Sequence, residues 1–235
     1  MKTMQTYKLD SLAASLFAAV LALAAVSAAQ AALITSPNPG ALQITFDDSA
    51  SYDTSGSSVQ IGNSISQNVL VSAAGGTLNF GAPIGAWSLA DNGEWTGASF
   101  VGVDGDFQNE PQGIAASLFF DLASPAFSVG AVMNFDPTFT YGGGLPLPLY
   151  IAVFDSAGTL LEDHFVPVAT PNAINQGLFY GITLATPSIA RFEVSGPFAV
   201  LDNLSVTPVP EPGTGVLVLA AMGALGAATR RRSRA

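Results

Sequence analysis

The 235-residue sequence contains no cysteine and one histidine, His164. Thiol catalysis, disulfide bonds and metal sites built from two histidines are therefore excluded. A domain without disulfides has to be stabilised by its apolar core, to which a bound metal can add. His164 directly follows Asp163, so on a strand the two side chains point to opposite faces and cannot pair. This pattern indicates an exposed strand histidine.

Basic residues are scarce and unevenly placed. Seven Lys and Arg stand against 17 Asp and Glu, giving a net charge of −10, and Arg191 is the one basic residue between the two chain ends. Nucleic acid is excluded as a ligand, because phosphate binding needs clustered Lys and Arg. An acidic surface without lysine stays soluble by self-repulsion and attracts divalent cations or basic partners.

The N-terminus has the three parts of a secretory signal peptide: a basic start at Lys2 and Lys8, an apolar run over residues 12–26, and the small residues Ala29 and Ala31 of a cleavage site. A retained anchor is the alternative, but the apolar run is short for a membrane span. We predict that residues 1–31 are a cleaved signal peptide and that the mature chain begins near residue 32.

The C-terminus combines a proline-rich stalk, an uncharged segment and a basic end. Residues 207–212 contain three prolines, which predicts a stiff stalk. Residues 213–229 carry no charge, and at ~1.5 Å per residue this length is just enough for a transmembrane helix. The basic end at residues 230–235 would remain in the cytoplasm. Everything between signal and span is then predicted to lie outside the inner membrane.

The order of Pro210, Glu211 and Pro212, a short apolar span and then Arg230, Arg231 and Arg232 resembles the PEP-CTERM sorting signal of Gram-negative bacteria. The resemblance implies that a membrane exosortase recognises Pro-Glu-Pro, cuts near it, and releases the protein towards the cell surface and the exopolysaccharide. It also implies that the three arginines act as the stop-transfer signal. An ordinary single-span tail anchor is the alternative.

Residues 32–206 form the predicted ectodomain, with the length of one domain. Helix signals are nearly absent there, while short alternating apolar segments are separated by Gly, Pro, Asn and Asp. We predict an all-β fold with roughly ten short strands, arranged as a two-sheet antiparallel sandwich of jelly-roll type, with a closed barrel as the alternative. A signal helix and a transmembrane helix would flank it.

The strands of this domain are placed by alternation and by turns. Leu149 to Phe154 and Thr159 to Val166 should form a hairpin around Asp155 to Gly158. Separate strands are expected over Ile114 to Leu122 and over Phe127 to Phe135, each burying one face and exposing the other. The other predicted strands are 42–46, 177–184, 191–194 and 198–206, and the Gly- and Pro-rich residues 142–148 should form an exposed loop.

Asp202 is the acidic residue that most needs an explanation. On a regular strand, alternate residues face the same side, which would place Asp202 on the same face as its apolar neighbours at positions 200 and 204. Either its buried carboxylate is then compensated by hydrogen bonds or an opposite charge, or a bulge removes it from the apolar face. Asp47 and Asp48 end the first predicted strand, and first and last strands are often neighbours in jelly rolls. We expect a structural Ca²⁺ shared by Asp47 or Asp48 with Asp202. The alternative is that Asp202 bonds to backbone or pairs with Arg191.

Two tryptophans, Trp87 and Trp95, flank a polar turn and would suit sugar binding if exposed, or loop packing if buried. No Gly-x-Ser-x-Gly elbow occurs in the domain, and no carboxylate pair is singled out for glycan hydrolysis. The sequence therefore favours a non-enzymatic surface or extracellular-matrix protein associated with exopolysaccharide or biofilm. A carbohydrate-binding module is the second hypothesis, and a glycan hydrolase is the third.

Overall fold

A computed structural model describes residues 31–46, 57–62, 68–80, 100–103, 116–135, 148–170, 177–196 and 199–209. Within these ranges the chain forms strands and no helix. There are twelve: β1 (Ala32–Ile34), β2 (Leu42–Ile44), β3 (Ser58–Ile61), β4 (Val69–Ala74), β5 (Leu78–Phe80), β6 (Val101–Val103), β7 (Ser117–Asn134), β8 (Leu149–Phe154), β9 (Leu160–Val166), β10 (Leu178–Thr183), β11 (Ile189–Ser195) and β12 (Val200–Pro208). The predicted signal helix, transmembrane helix and 142–147 part of the loop lie outside the described residues.

The long strand β7 organises the fold because it belongs to two layers. Its first half pairs with β4 and β11, and its second half pairs with β10 and β12. The first layer has the order β3-β4-β7-β11-β8-β9, and the second has β1-β10-β7-β12 with β2 and β6 beside β12 and β5 beside β6. Every described pairing is antiparallel, which confirms the predicted all-β antiparallel sandwich. Within the described residues β9 pairs with β8 alone, so the sheet does not close there into a barrel.

The change of layer takes place at the centre of β7. Ala123, Ser124 and Pro125 are exposed, and the pairing with β11 jumps from Asp121 to Ala126. Proline has no N–H to give to a ladder, so it is tolerated where the pairing is interrupted. The prediction of two separate strands here was wrong, since one continuous strand turns from one layer into the other.

One apolar cluster fills the space between the layers. It contains Phe120 and Phe192 from the first layer, whose ring centroids lie 6.1 Å apart, and Met133 and Leu204 from the second. Each of these four side chains is fully buried. Burial of a large apolar side chain contributes roughly 1.5–3 kcal/mol, so this cluster is the main source of stability in a domain without disulfides.

The second half of β7 is covered on both sides, which corrects the prediction of one wet face. Gly130 lies against Gly181 of β10, and an added Cβ at Gly130 would come 2.7 Å from the ring of Phe179. Ser128 and Asn134 on the same side are buried as well. The outer side is therefore closed by close backbone approach and by an aromatic ring.

The β8–β9 hairpin has the predicted turn. Asp155 Oδ1 accepts hydrogen bonds from the backbone N–H groups of Ala157 at 2.9 Å and of Thr159 at 2.8 Å, and Gly158 has a φ of +79°. These bonds lower the pKa of the Asp155 carboxyl, with the bond from Thr159 as the largest cause. The turn is thus built by one carboxylate and one left-handed glycine.

Candidate functional site

Asp202 lies immediately before an irregularity in β12. Its Cα partner on β7 is Val132, whereas Ser205 pairs with Gly130, so β12 has one more residue than β7 over this stretch. The extra residue is accommodated at Asn203, whose φ is +51°. This is a β-bulge, and Asn is among the few residue types that adopt this conformation readily.

The bulge explains how Asp202 can lie in a strand whose alternating residues are apolar. Asp202 lies on the side of β12 that Val132 shares, and Leu204 points into the apolar cluster. Asp202 is nevertheless only 4% exposed. Its Oδ1 accepts the backbone N–H of Asn203 at 2.7 Å, and its Oδ2 accepts Asn203 Nδ2 at 2.9 Å. Two charge-assisted hydrogen bonds therefore compensate part of the cost of burying the carboxylate.

The first predicted strand lies beside the last one, as expected. Ile44 of β2 pairs with Leu204 of β12, and the chain then continues to Phe46, which is buried and has a φ of +59°. A left-handed conformation at an aromatic residue is strained and is maintained only where the surroundings impose it. Left-handed backbone thus occurs within two residues of this pairing on both chain segments, at Phe46 after β2 and at Asn203 in β12.

Two of the three predicted calcium ligands, Asp47 and Asp48, lie outside the described residues. They directly follow Phe46 in the sequence. Among the residues that the structure describes, no three acidic or histidine side chains come together as a metal-binding group. The calcium site stays a prediction, now with one described ligand in a buried position.

Arg191 does not pair with Asp202, in contrast to one sequence-based alternative. Its Nε and Nη2 donate to the two carboxylate oxygens of Asp121 at 2.5 and 3.1 Å, and its guanidinium lies 5.3 Å from the ring centroid of Phe119. The hydrogen bond to Asp121 raises the pKa of the arginine further. The one basic residue between the chain ends is therefore held in a fixed position on the first layer.

The outward side of the first layer carries a polar and aromatic surface, which we call the outer face and define by Ser117, Phe119, Asp121, Tyr150, Phe154, Asp163, Phe165, Arg191, Glu193 and Ser195. Glu193 Oε1 accepts hydrogen bonds from Ser117 Oγ at 3.0 Å and Ser195 Oγ at 2.8 Å. The rings of Tyr150 and Phe165 have centroids 5.3 Å apart. Burial, followed by the nearby carboxylate of Asp163, raises the pKa of the Tyr150 phenol.

Sequence reasoning did not identify the outer face. Its members come from four strands, and Ser117 and Glu193 are separated by 76 residues. The alternation of Arg191 and Glu193 with buried Phe192 and Val194 was a correct local signal of their common side. It could not show which residues of other strands lie next to them.

The other predicted residues give a mixed outcome. His164 Nε2 lies 3.1 Å from Glu162 Oε1, and the His164 side chain is 29% exposed, so it is only partly exposed. Asp163 points to the opposite face of β9, as predicted, beside Tyr150. Trp87 and Trp95 lie outside the described residues, and so do Ala29 and the sorting residues 210–212 and 230–232.

The end of the domain lies close to the sorting residues. β12 continues to Pro208, two residues beyond the predicted end of the domain at residue 206, and Val209 is 42% exposed. Thr207 Oγ1 accepts a hydrogen bond of 2.8 Å from Ser128 Oγ, which in turn accepts one of 3.0 Å from Asn38 Nδ2. Regular structure therefore ends only two residues before Pro210 in the sequence. At the other end, β1 starts at Ala32, directly after the predicted signal peptide.

Comparison with known proteins identifies the C-terminal segment. Residues 208–232 match the PEP-CTERM protein-sorting motif, which confirms the resemblance seen in the sequence and marks the chain as an exported protein that is sorted by an exosortase. No curated protein matches the chain.

One solved structure is similar to the chain: the K2 cleaved adhesin domain of Lys-gingipain (Kgp). It shares 11% identity over 72% of this chain and 99% of that chain, with a TM-score of 0.37, a similarity too low to inform function. The described residues contain no helix long and apolar enough to cross a bilayer.

Proposed function

We propose that this PEP-CTERM-sorted chain is a non-enzymatic component of the cell surface or extracellular matrix that associates with exopolysaccharide. The observation that carries the proposal is the position of the sorting motif, which begins at the last residue of β12. A folded β domain is thus directly attached to a removable membrane signal. Such an arrangement suits a protein whose task is to be delivered and retained outside the cell.

In this proposal each part of the tail has one role. Pro210, Glu211 and Pro212 are the recognition motif, residues 213–229 span the inner membrane, and residues 230–232 stop transfer. The intermediate is tethered to the inner membrane with its β domain in the periplasm. Exosortase cleavage then releases the domain towards the surface.

Processing can be tested with Glu211→Ala in cells that contain the exosortase. The variant should accumulate as the membrane-tethered precursor, visible as a larger band in the membrane fraction, while the wild type reaches the surface and medium as the shorter form. Glu162→Ala, a change of the same residue type on β9, is the matched control and should be processed normally. Equal processing of Glu211→Ala and wild type would contradict the assigned role of the motif.

A carbohydrate-binding module is the second candidate function. It is supported by the outer face, where the Tyr150 and Phe165 rings lie beside carboxylate and hydroxyl groups. The sequence hypothesis places sugar binding at Trp87 and Trp95 instead. Polysaccharide pull-downs with Trp87→Ala and Trp95→Ala test that location, and retention equal to wild type would remove it.

A structural Ca²⁺ shared by Asp47 or Asp48 with Asp202 is proposed as part of the same domain. Support comes from the buried position of Asp202 and from the pairing of β2 with β12, which puts the strand before Asp47 next to the bulge. Calcium prefers several oxygen ligands and tolerates irregular geometry, so a bulged strand end suits it. The ion would stabilise the first and last strands against each other.

A further inference from the structure

We propose that the outer face of the first layer, centred on Glu193 and the Tyr150–Phe165 ring pair, binds an uncharged polysaccharide. This inference rests on the proposed association with exopolysaccharide and assigns it to a surface. The assignment differs from the tryptophan hypothesis, because every residue used lies on β7, β8, β9 or β11. It can therefore fail while the proposed sorting and surface location remain correct.

The strand register sets the residues of the outer face in rows across the sheet. One row runs Phe119, Glu193, Ala152, Asp163, and the next runs Ser117, Ser195, Tyr150, Phe165. A third row places Asp121 beside Arg191 and Phe154. With strands ~4.8 Å apart, the four strands from β7 to β9 cover about 14 Å between the outer two. Ala152 in the first row and Ser117 and Ser195 in the second are buried, whereas the partly or fully exposed members still extend across all four strands, from Phe119 on β7 to Asp163 on β9. The accessible surface is thus long enough to follow an extended polymer rather than a single small molecule.

The exposed part of this surface is aromatic at its edge. Phe165 is 68% exposed, although a phenylalanine on a sandwich surface is normally covered at least in part. The ring of Tyr150, 5.3 Å away, supports it from one side. The exposed ring of Phe165, with the half-buried ring of Tyr150 beside it, offers an apolar platform to the C–H faces of a sugar ring, and the phenol adds a hydrogen-bonding group.

The polar groups beside the platform are already oriented by one another. Ser117 and Ser195 fix the carboxylate of Glu193, and Asp121 holds the guanidinium of Arg191 through both of its oxygens. Groups fixed in the free protein lose little conformational freedom when a ligand binds. Carboxylates accept hydrogen bonds from hydroxyl groups, and the guanidinium has donors beyond the two that Asp121 uses. The outer face thus offers both hydrogen-bond acceptors and hydrogen-bond donors to the hydroxyl groups of a sugar.

Charge decides the class of ligand. Arg191 is neutralised by Asp121, so Asp163 and Glu193 leave the outer face acidic. An anionic polymer would be repelled, and a second copy of this chain would set carboxylate against carboxylate. An apolar protein surface would desolvate Glu193 and Asp163 without giving them donors. A polymer rich in hydroxyl groups and free of charge supplies donors and an apolar ring face together.

The test is affinity electrophoresis of the processed, secreted protein in gels that contain dextran, a β-1,3-glucan or hydroxyethyl cellulose, with alginate as the anionic comparison. We expect at least one uncharged polymer to retard the wild type and alginate not to. Phe165→Ala and Glu193→Gln should each weaken retardation by about tenfold in apparent affinity, the effect of losing one aromatic or charged contact. Leu178→Ala, which removes another exposed apolar side chain on β10, is the matched control and should bind like wild type.

Folding is checked by the melting temperature of each variant. Phe165 is largely exposed, so Phe165→Ala should melt close to wild type and its binding result is not affected by unfolding. The proposal is overturned if no uncharged polymer retards the protein, if alginate alone does, or if Phe165→Ala binds as tightly as wild type. Loss of binding in Trp87→Ala with full binding in Phe165→Ala would move the site to the tryptophans. None of these outcomes alters the processing result for Glu211→Ala.

Discussion

Asp202→Asn tests the buried carboxylate at the bulge of β12. In the wild type both carboxylate oxygens accept hydrogen bonds from Asn203, at 2.7 Å from the backbone N and 2.9 Å from Nδ2. Asparagine keeps one acceptor oxygen and turns an NH₂ group towards a donor, so one of these bonds is lost. A hydrogen bond to a charged group contributes about 1.5–3 kcal/mol, and the site is only 4% exposed. Each kcal/mol of lost stability lowers the melting temperature of a domain of this size by about 2–4 °C. The melting temperature of Asp202→Asn in EDTA should therefore be about 3–12 °C below that of the wild type.

The same variant tests the calcium proposal. If Ca²⁺ binds with a Kd of about 10⁻⁴ M, a hundredfold excess stabilises the wild type by about 2.7 kcal/mol, or about 5–11 °C in melting temperature. Asp202→Asn should lose most of this shift. Asp163→Asn, the same change at an exposed carboxylate on β9, is the control and should keep it.

Differential scanning calorimetry of the secreted protein, in EDTA and in about 10 mM calcium, separates the two parts of the argument. Equal melting of wild type and Asp202→Asn in EDTA would refute the contribution of the buried hydrogen bonds. A wild type with the same melting temperature in both buffers would refute the metal site. A full calcium shift in Asp202→Asn would show that another group binds the ion.

Two further predictions concern the fold. Gly130→Ala should lower the free energy of unfolding by about 1–3 kcal/mol, because the new Cβ meets Tyr180 O at 2.6 Å and the Gly181 Cα at 2.7 Å, both backbone atoms. Gly196→Ala meets side-chain atoms of Leu149 and Phe135 instead and should cost less, so urea midpoints in the opposite order would contradict the glycine contact. Asp155→Asn should be destabilising near pH 7. Hydrogen bonds from the turn hold the folded pKa of Asp155 below its ordinary value of 3.8, so the stability that its carboxylate contributes is present above that pH and is lost as the pH falls through the folded pKa. The difference in melting temperature between wild type and Asp155→Asn should therefore become smaller as the pH is lowered below 3.8.

Local signals were sufficient where the structure is local. The β8–β9 hairpin follows from alternating apolar residues and from an Asp and a Gly in the turn, and Asp155 and Gly158 occupy the positions expected of them. Arg191 and Glu193 alternate with Phe192 and Val194 for the same reason. In each case one residue and its near neighbours determine the conformation.

Features that depend on distant residues were not predictable. Pro125 reads as a strand breaker, yet β7 continues through it because the two halves of the strand pair with different partners. The short strands β1, β3, β4, β5 and β6 were not predicted, since three to six residues carry little periodicity of their own. The outer face was not predictable for the same reason. A carboxylate on β11 and a hydroxyl on β7 become neighbours only through the register in which the two strands pair.

The bulge at Asn203 lies between these two cases. The alternation of residues along the strand required either that the carboxylate of Asp202 be compensated on the apolar face or that the strand be irregular. The sequence pattern did not distinguish between these two possibilities. The choice follows from Asn203, which tolerates a left-handed backbone and supplies two hydrogen-bond donors to the carboxylate of Asp202. Asn203 therefore both permits the bulge and stabilises the buried carboxylate of Asp202 beside it.

In the proposed sorting pathway, the last strand links folding of the domain to its release. β12 pairs with β7 on one side and with β2 and β6 on the other, so the second layer is incomplete until residue 208 is available. In the proposed precursor only residues 209–212 separate that strand from the membrane span, a distance of at most about 14 Å. If the precursor is anchored as proposed, the domain can complete its second layer only after its whole length has crossed the bilayer, and it then lies next to the membrane that holds the exosortase. In this proposal cleavage near Pro-Glu-Pro acts on a chain whose final strand is already able to fold, so that release would yield a finished domain.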